Sequence, residues 1–194
     1  MVNKMDDIIA RLYPQISRAE VDPRPVVLMT CGIAGSGKST FSKTFVSAHP
    51  NFDRLFFDGI LAEQHGIFGV DYPREKYSMS QEETAQECKV RLTRLLTDGD
   101  RDVVYDRAFW NKADRDEAKK QIEALGARWG LVYLKPPATL WRRIVERREV
   151  QLNADSAYLI TPDILDMYWD GFEKPVDEGE IVIDTHGVLN EASG

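Results

Sequence analysis

The sequence predicts a three-layer α/β/α domain with a five-stranded parallel sheet, and three observations predict it. Short apolar, β-branched runs alternate with helix-length stretches between residues 26 and 183. A glycine-rich run sits between the first of these strands and the first core helix. Acidic residues stand where strands end, at Asp58, Asp106 and Asp184. Alternation of this kind places parallel strands in one sheet with helices on both faces. Ligands of such sheets sit outside the carboxyl ends of the strands.

In chain order, residues 4–12 read as a short amphipathic helix on Ile8, Ile9 and Leu12, and Pro14, Pro23 and Pro25 punctuate the segment leading to the first strand. That strand, 26–31, is apolar throughout its length, as a strand buried on both faces must be. Helix 38–48 puts Phe41 and Phe45 on one face and ends at His49-Pro50-Asn51. A short strand, 54–57, stops at Asp58-Gly59, and the glycine- and aromatic-rich stretch 59–80 reads as an irregular or partly helical cap. Helix 81–97 is predicted from Ser80 as N-cap with Glu83 three residues on, and Gly99 follows its end. Strand 103–105 ends at Asp106. Helix 113–125 buries Ala118, Ile122 and Leu125 and stops at Gly126. Strand 129–134 precedes Pro136-Pro137, which open helix 138–149 with Leu140 and Ile144 inward. Thr161 and Pro162 open a further helix to about Phe172, and strand 181–183 closes the pattern.

The 194 residues fit a single domain over 1–194, with a cap at about 59–80 and a lid at about 138–150. A net charge of −7 disfavours non-specific nucleic-acid binding, which rests on Lys and Arg neutralising phosphates. No run of 18 apolar residues is present, and Met1–Tyr13 is charged and lacks the apolar centre of a secretory signal. Two cysteines cannot build a disulfide framework. The expectation is a cytoplasmic protein with no membrane partner and with nucleic acid disfavoured as one.

The run Gly32-Ile33-Ala34-Gly35-Ser36-Gly37-Lys38-Ser39 fits G-x-x-x-x-G-K-[ST], the phosphate-binding loop of the P-loop NTPase fold. Glycines let backbone N–H groups approach phosphate oxygens. Lys38 can reach the β- and γ-phosphates, the Ser39 hydroxyl can ligate Mg²⁺, and Thr40 begins the helix whose N-terminus points at the anion. Residues 32–40 therefore predict a Mg·ATP site. Asp58 can accept a proton from an acceptor hydroxyl or orient it, or it is an ordinary Asp-Gly turn. Asp106 can hold Mg²⁺ through water or bind substrate, or it simply terminates a strand, and Arg107 can pair with a nearby acid. Arg143 and Arg147 share a helical face and can close over phosphates as a lid, or form a solvated basic face. His65, Phe68, Tyr72 and Tyr77 suit either an acceptor pocket or an apolar cap. Trp110, Trp141 and Trp169 read as packing residues, and Asp184-Thr185-His186-Gly187 as a turn.

Over about residues 25–185 the chain resembles the small P-loop kinases of the polynucleotide kinase, zeta-toxin and chloramphenicol phosphotransferase group. Val103 to Arg148 carries the resemblance most closely: an acid after the strand, an arginine-containing helix ending in Gly126-Ala127, a strand followed by proline, then Leu140-x-x-Arg143-x-x-x-Arg147. The resemblance implies that Lys38 and Ser39 bind ATP and Mg²⁺, that Asp58 contacts the attacking hydroxyl, that Arg143 and Arg147 bind the ATP phosphates, and that Asp106 lies at the acceptor side. Leu61 departs from it, standing where the polynucleotide enzyme carries an arginine for the acceptor's phosphate. The expected activity is transfer of the γ-phosphate of Mg·ATP to a hydroxyl of a small-molecule acceptor. A 5′-hydroxyl polynucleotide kinase and a non-catalytic, ATP-dependent regulatory binding module stay open as alternatives.

Overall fold

Six strands form one sheet in the order β2-β3-β1-β4-β5-β6. The computed structural model describes residues 4–67, 70–97, 101–136, 169–184 and 188–190. The proposed lid helix with Arg143 and Arg147, and most of the helix expected from Thr161, lie outside the described residues. Strands β1 (Val26–Cys31), β2 (Phe52–Phe56), β3 (Asp102–Asp106), β4 (Arg128–Lys135) and β5 (Glu180–Asp184) are mutually parallel. The sequence expectation of five parallel strands is thus met, with one addition. Strand β6 (Val188–Asn190) pairs antiparallel with β5 at the sheet edge.

Two cores flank the sheet. On one face α1 (Lys4–Ile16) and α2 (Lys38–Ala48) pack Ile9, Leu12, Phe41 and Phe45 against Leu28, Val104 and Val132. On the other, α4 (Tyr77–Thr97) and α5 (Lys112–Ala124) cover Met29, Leu55, Val103 and Leu131. Alternate residues of each central strand feed opposite cores, because strand side chains alternate sides.

Three boundaries differ from expectation. Helix α1 runs through Pro14 to Ile16, because a proline in the last turn removes a single hydrogen bond while Ile16 is still buried. Strand β2 stops at Phe56 and α3 (Phe57–His65) begins at once, so Asp58 lies in the first turn of a helix rather than in an Asp-Gly turn. Gly59 serves packing here: a Cβ on it would lie 2.5 Å from the Phe56 ring. Helix α4 begins at Tyr77, after a 3-10 turn at Arg74–Lys76, and Ser80 is inside it rather than its cap. Ser80, Thr84, Cys88, Leu92 and Leu96 form its buried stripe, one residue every four.

Candidate active site

The loop after β1 owes its shape to its glycines. Gly32 has φ +148°, and a Cβ there would lie 2.7 Å from the Ser36 hydroxyl and 2.8 Å from the Leu134 carbonyl. Gly37 caps α2 in the left-handed region at φ 100°. The chain then turns into α2, whose first N–H groups face the loop's mouth. Lys38 Nζ donates to the Ile33 carbonyl at 2.9 Å, which holds the ammonium over that mouth. Desolvation lowers the Lys38 pKa, and the negative charges of Asp58 and Asp106 oppose that. The Ser36 hydroxyl is buried and has no hydrogen-bond partner among the described residues. An orphaned hydroxyl, a nearby ammonium and inward amides together fit a phosphate group. Ser39 is half-buried beside them, and Gly35 and Thr40 are exposed.

The loop is stitched to the segment after β3. Gly32 donates its N–H to the Ala108 carbonyl at 3.1 Å. Thr30 Oγ1 donates to the Arg107 carbonyl at 3.1 Å and accepts from the Arg107 N–H at 3.3 Å. Phe109 has φ 43°, unusual for an aromatic residue. Its carbonyl accepts from Arg115 Nη1 at 3.0 Å, which fixes that conformation.

Between these segments lies a cavity of about 200 Å³. Gly32, Ile33, Ala34 and Lys38 line it on the loop side, Phe57 and Asp58 from the start of α3, and Tyr77 and Gln81 from α4. Arg107, Ala108, Phe109, Trp110 and Asp114 complete the wall. A wider groove of about 650 Å³ runs along edge strand β2, on Arg54, Phe56, Glu63 and Arg94, away from the loop. Despite its size it brings no phosphate-binding backbone to its walls, so the smaller cavity is the better candidate.

The structure brings Lys38 and Asp58 to one cavity. Asp106 is not part of its wall. It is 2% exposed and accepts from Arg54 Nε at 2.9 Å and Nη2 at 2.5 Å, with Thr30 Oγ1 at 3.4 Å on its other oxygen. Tyr77 lines the cavity, whereas buried Tyr72 packs edge-on to His65 at 6.2 Å outside it, and Phe68 is outside the described residues. Arg107 does pair with an acid, donating to Asp114 at 3.2 Å, but it also faces the cavity. Trp110 packs, as expected, against Gly171, and it too lines the cavity. Spacing after Asp106 was the available signal: four consecutive residues beyond a strand end at the ligand side of the sheet.

The AAA-domain family matches residues 27–167. Among solved structures, a candidate kinase from Chloroflexus aurantiacus superposes with TM-score 0.65 at 16% identity, covering 84% of this chain and 86% of that one. The Mycobacterium tuberculosis APS kinase in complex with AMPPNP and APS gives TM-score 0.58 at 15% identity, covering 84% and 89%. A chain of the Pnkp1/Rnl/Hen1 complex gives 0.52 at 21%, covering 62% of this chain and 39% of that one. No curated protein matches the sequence. With more than half its length matched and a parallel sheet built around the glycine loop, the chain belongs to the AAA-domain family and has the fold of the small P-loop kinases.

Proposed function

We propose that this protein is an ATP-dependent phosphotransferase that delivers a phosphoryl group to a hydroxyl of a small molecule. The observation that carries the reading is the cavity shared by Lys38 and Asp58, lined also by the rings of Phe57, Tyr77, Phe109 and Trp110. The loop 32–39 would cradle the nucleotide's phosphates with backbone N–H groups, and Lys38 would exchange the Ile33 carbonyl for phosphate oxygens. Ser39 would hold Mg²⁺, an oxygen donor of the kind that ion takes alongside nucleotide phosphates, whereas Asp106, 2% exposed and held by Arg54, would act through its charge on Lys38. When bound, Mg·ATP supplies the transferable phosphoryl group and neutralises its charge. Asp58 would orient the acceptor hydroxyl or take its proton. Arg143 and Arg147 enter through the resemblance and would complete the donor side over the phosphates. The two free, buried cysteines suit a reducing compartment such as the cytoplasm.

Incubating the protein with a metabolite pool and γ-labelled ATP, and reading the labelled product by mass, would identify the acceptor. With that acceptor, Asp58→Asn should slow transfer by about 10²–10⁴-fold, while calorimetry finds ATP affinity nearly intact. Transfer at full rate would refute the role given to Asp58. Lys38→Ala should weaken ATP binding, and unchanged affinity would sink the assignment of the loop.

A further inference from the structure

We propose that Arg107 is the anion-binding residue of the acceptor pocket, so that the hydroxyl acceptor also carries an oxyanion, a carboxylate or phosphate ester, docked on this guanidinium. The proposal rests on the kinase reading for what the pocket holds, and on the local geometry for what it selects. Arg107 is the first residue after β3, and its backbone is fixed at both N–H and C=O by Thr30. Its guanidinium lies 4.8 Å from the Phe57 ring centroid and 5.3 Å from that of Phe109. Two rings therefore orient a planar fork within the same cavity as Asp58.

Two less exposed arginines, Arg115 and Arg54, show guanidinium groups occupied by carboxylates within the fold. Arg115 donates through Nε and Nη2 to Glu178 and through Nη1 to the Phe109 and Glu173 carbonyls. Arg54 puts Nε and Nη2 on Asp106. Among the described residues Arg107 instead gives its carboxylate partner, Asp114, a single N–H at 3.2 Å, a long and monodentate contact to a group that is 33% exposed, and it shares a further hydrogen bond with the Tyr105 hydroxyl. A ligand oxyanion can take the bidentate position that Asp114 leaves open. Cys88 and Tyr105 beside Arg107 do not supply a competing anion, since burial pushes the thiol up to about 11 and raises the phenol; its carboxylate neighbours are Asp114 and, through charge alone, Glu117.

Matched probes test this. Hydroxymethylbenzoate and benzenedimethanol share a ring and an alcohol and differ in the carboxylate; glycerol phosphate and glycerol make the phosphate pair. Binding is measured by ligand-observed NMR on the full chain, with and without Mg·AMPPNP. At least one anionic probe should bind the unsubstituted protein about tenfold or more tighter than its neutral partner, and the pair that responds shows whether carboxylate or phosphate is preferred. Arg107→Gln should erase the difference and Arg107→Lys should retain part of it. Asp114→Asn, by releasing the guanidinium, should tighten the anionic probe several-fold. Equal binding within both pairs, no binding of any probe, a preference that survives Arg107→Gln, or a weaker anionic probe on Asp114→Asn would each overturn the proposal. Mg·ATP affinity, measured separately, decides the nucleotide reading, and the probe preference is read whether or not nucleotide binds.

Discussion

Arg115 carries a full charge with a side chain only 1% exposed. It survives there because Glu178, 5% exposed, meets it at 2.6 Å, and Lys119 adds a second contact at 3.3 Å. Burial alone would raise the Glu178 pKa, but Arg115 and Lys119 outweigh it and hold the carboxyl below its ordinary 4.5. A carboxyl depressed in the folded state contributes stability above its unfolded value and loses it as pH falls through the folded one. Native stability should therefore decline below pH 4.5 with a component that Glu178→Gln lacks. At neutral pH the same substitution should cost about 3 kcal/mol, because it leaves Arg115 buried and unpaired. Denaturant melts at neutral and acid pH would check both, and parallel pH profiles for the two proteins would refute the linkage. Neither Arg115 nor Arg107 stood out in the sequence as a buried or pocket residue. Arginines amid Lys and Asp read as solvated surface, and only the tertiary partners, Glu178 at 63 positions' distance and the rings of Phe57 and Phe109, reveal otherwise.

The strands were more legible than the helix starts. β1 and β4 announce themselves as apolar runs, and Phe41 and Phe45 place the buried face of α2. The stripe of α4 opens with Ser80, Thr84 and Cys88, small residues that blur its apolar period, so in the sequence the helix reads as starting late with Ser80 as its cap. β6 is three residues long, shorter than a strand signal needs. These placements separate two serine- and asparagine-type substitutions. Asn111 is a true cap, accepting from the Asp114 N–H at 2.7 Å. Asn111→Ala should cost about 1 kcal/mol. Ser80→Ala, inside a helix, should stay within about 0.5 kcal/mol of neutral, since alanine is the better helix former. Equal losses in urea melts would return Ser80 to a capping role.

At the scale of the whole molecule, the loop leaves β1 from the middle of the sheet, with β3 on one side and β4 on the other. Hydrogen bonds from Thr30 and Gly32 tie it to the segment that carries Arg107 and Phe109. The loop wall and the Arg107–Phe109 wall of the cavity thus hang from the same central strands, and unfolding the sheet destroys both. The glycine loop was readable from eight consecutive residues, because a phosphate-binding loop is largely backbone work in one short segment. The rest of the cavity wall was not, because α3, α4 and the segment after β3 meet only in three dimensions. A ligand that binds only the folded chain stabilises all of it. At a hundredfold its Kd, Mg·ATP should add about 2.7 kcal/mol, which for a domain of this size raises Tm by roughly 5–10 °C. Lys38→Ala should abolish most of the rise at the same nucleotide concentration, while keeping its own nucleotide-free Tm near that of the unsubstituted protein. A rise that persists in Lys38→Ala would place the nucleotide elsewhere, and no rise in the unsubstituted protein would mean that the loop does not hold ATP.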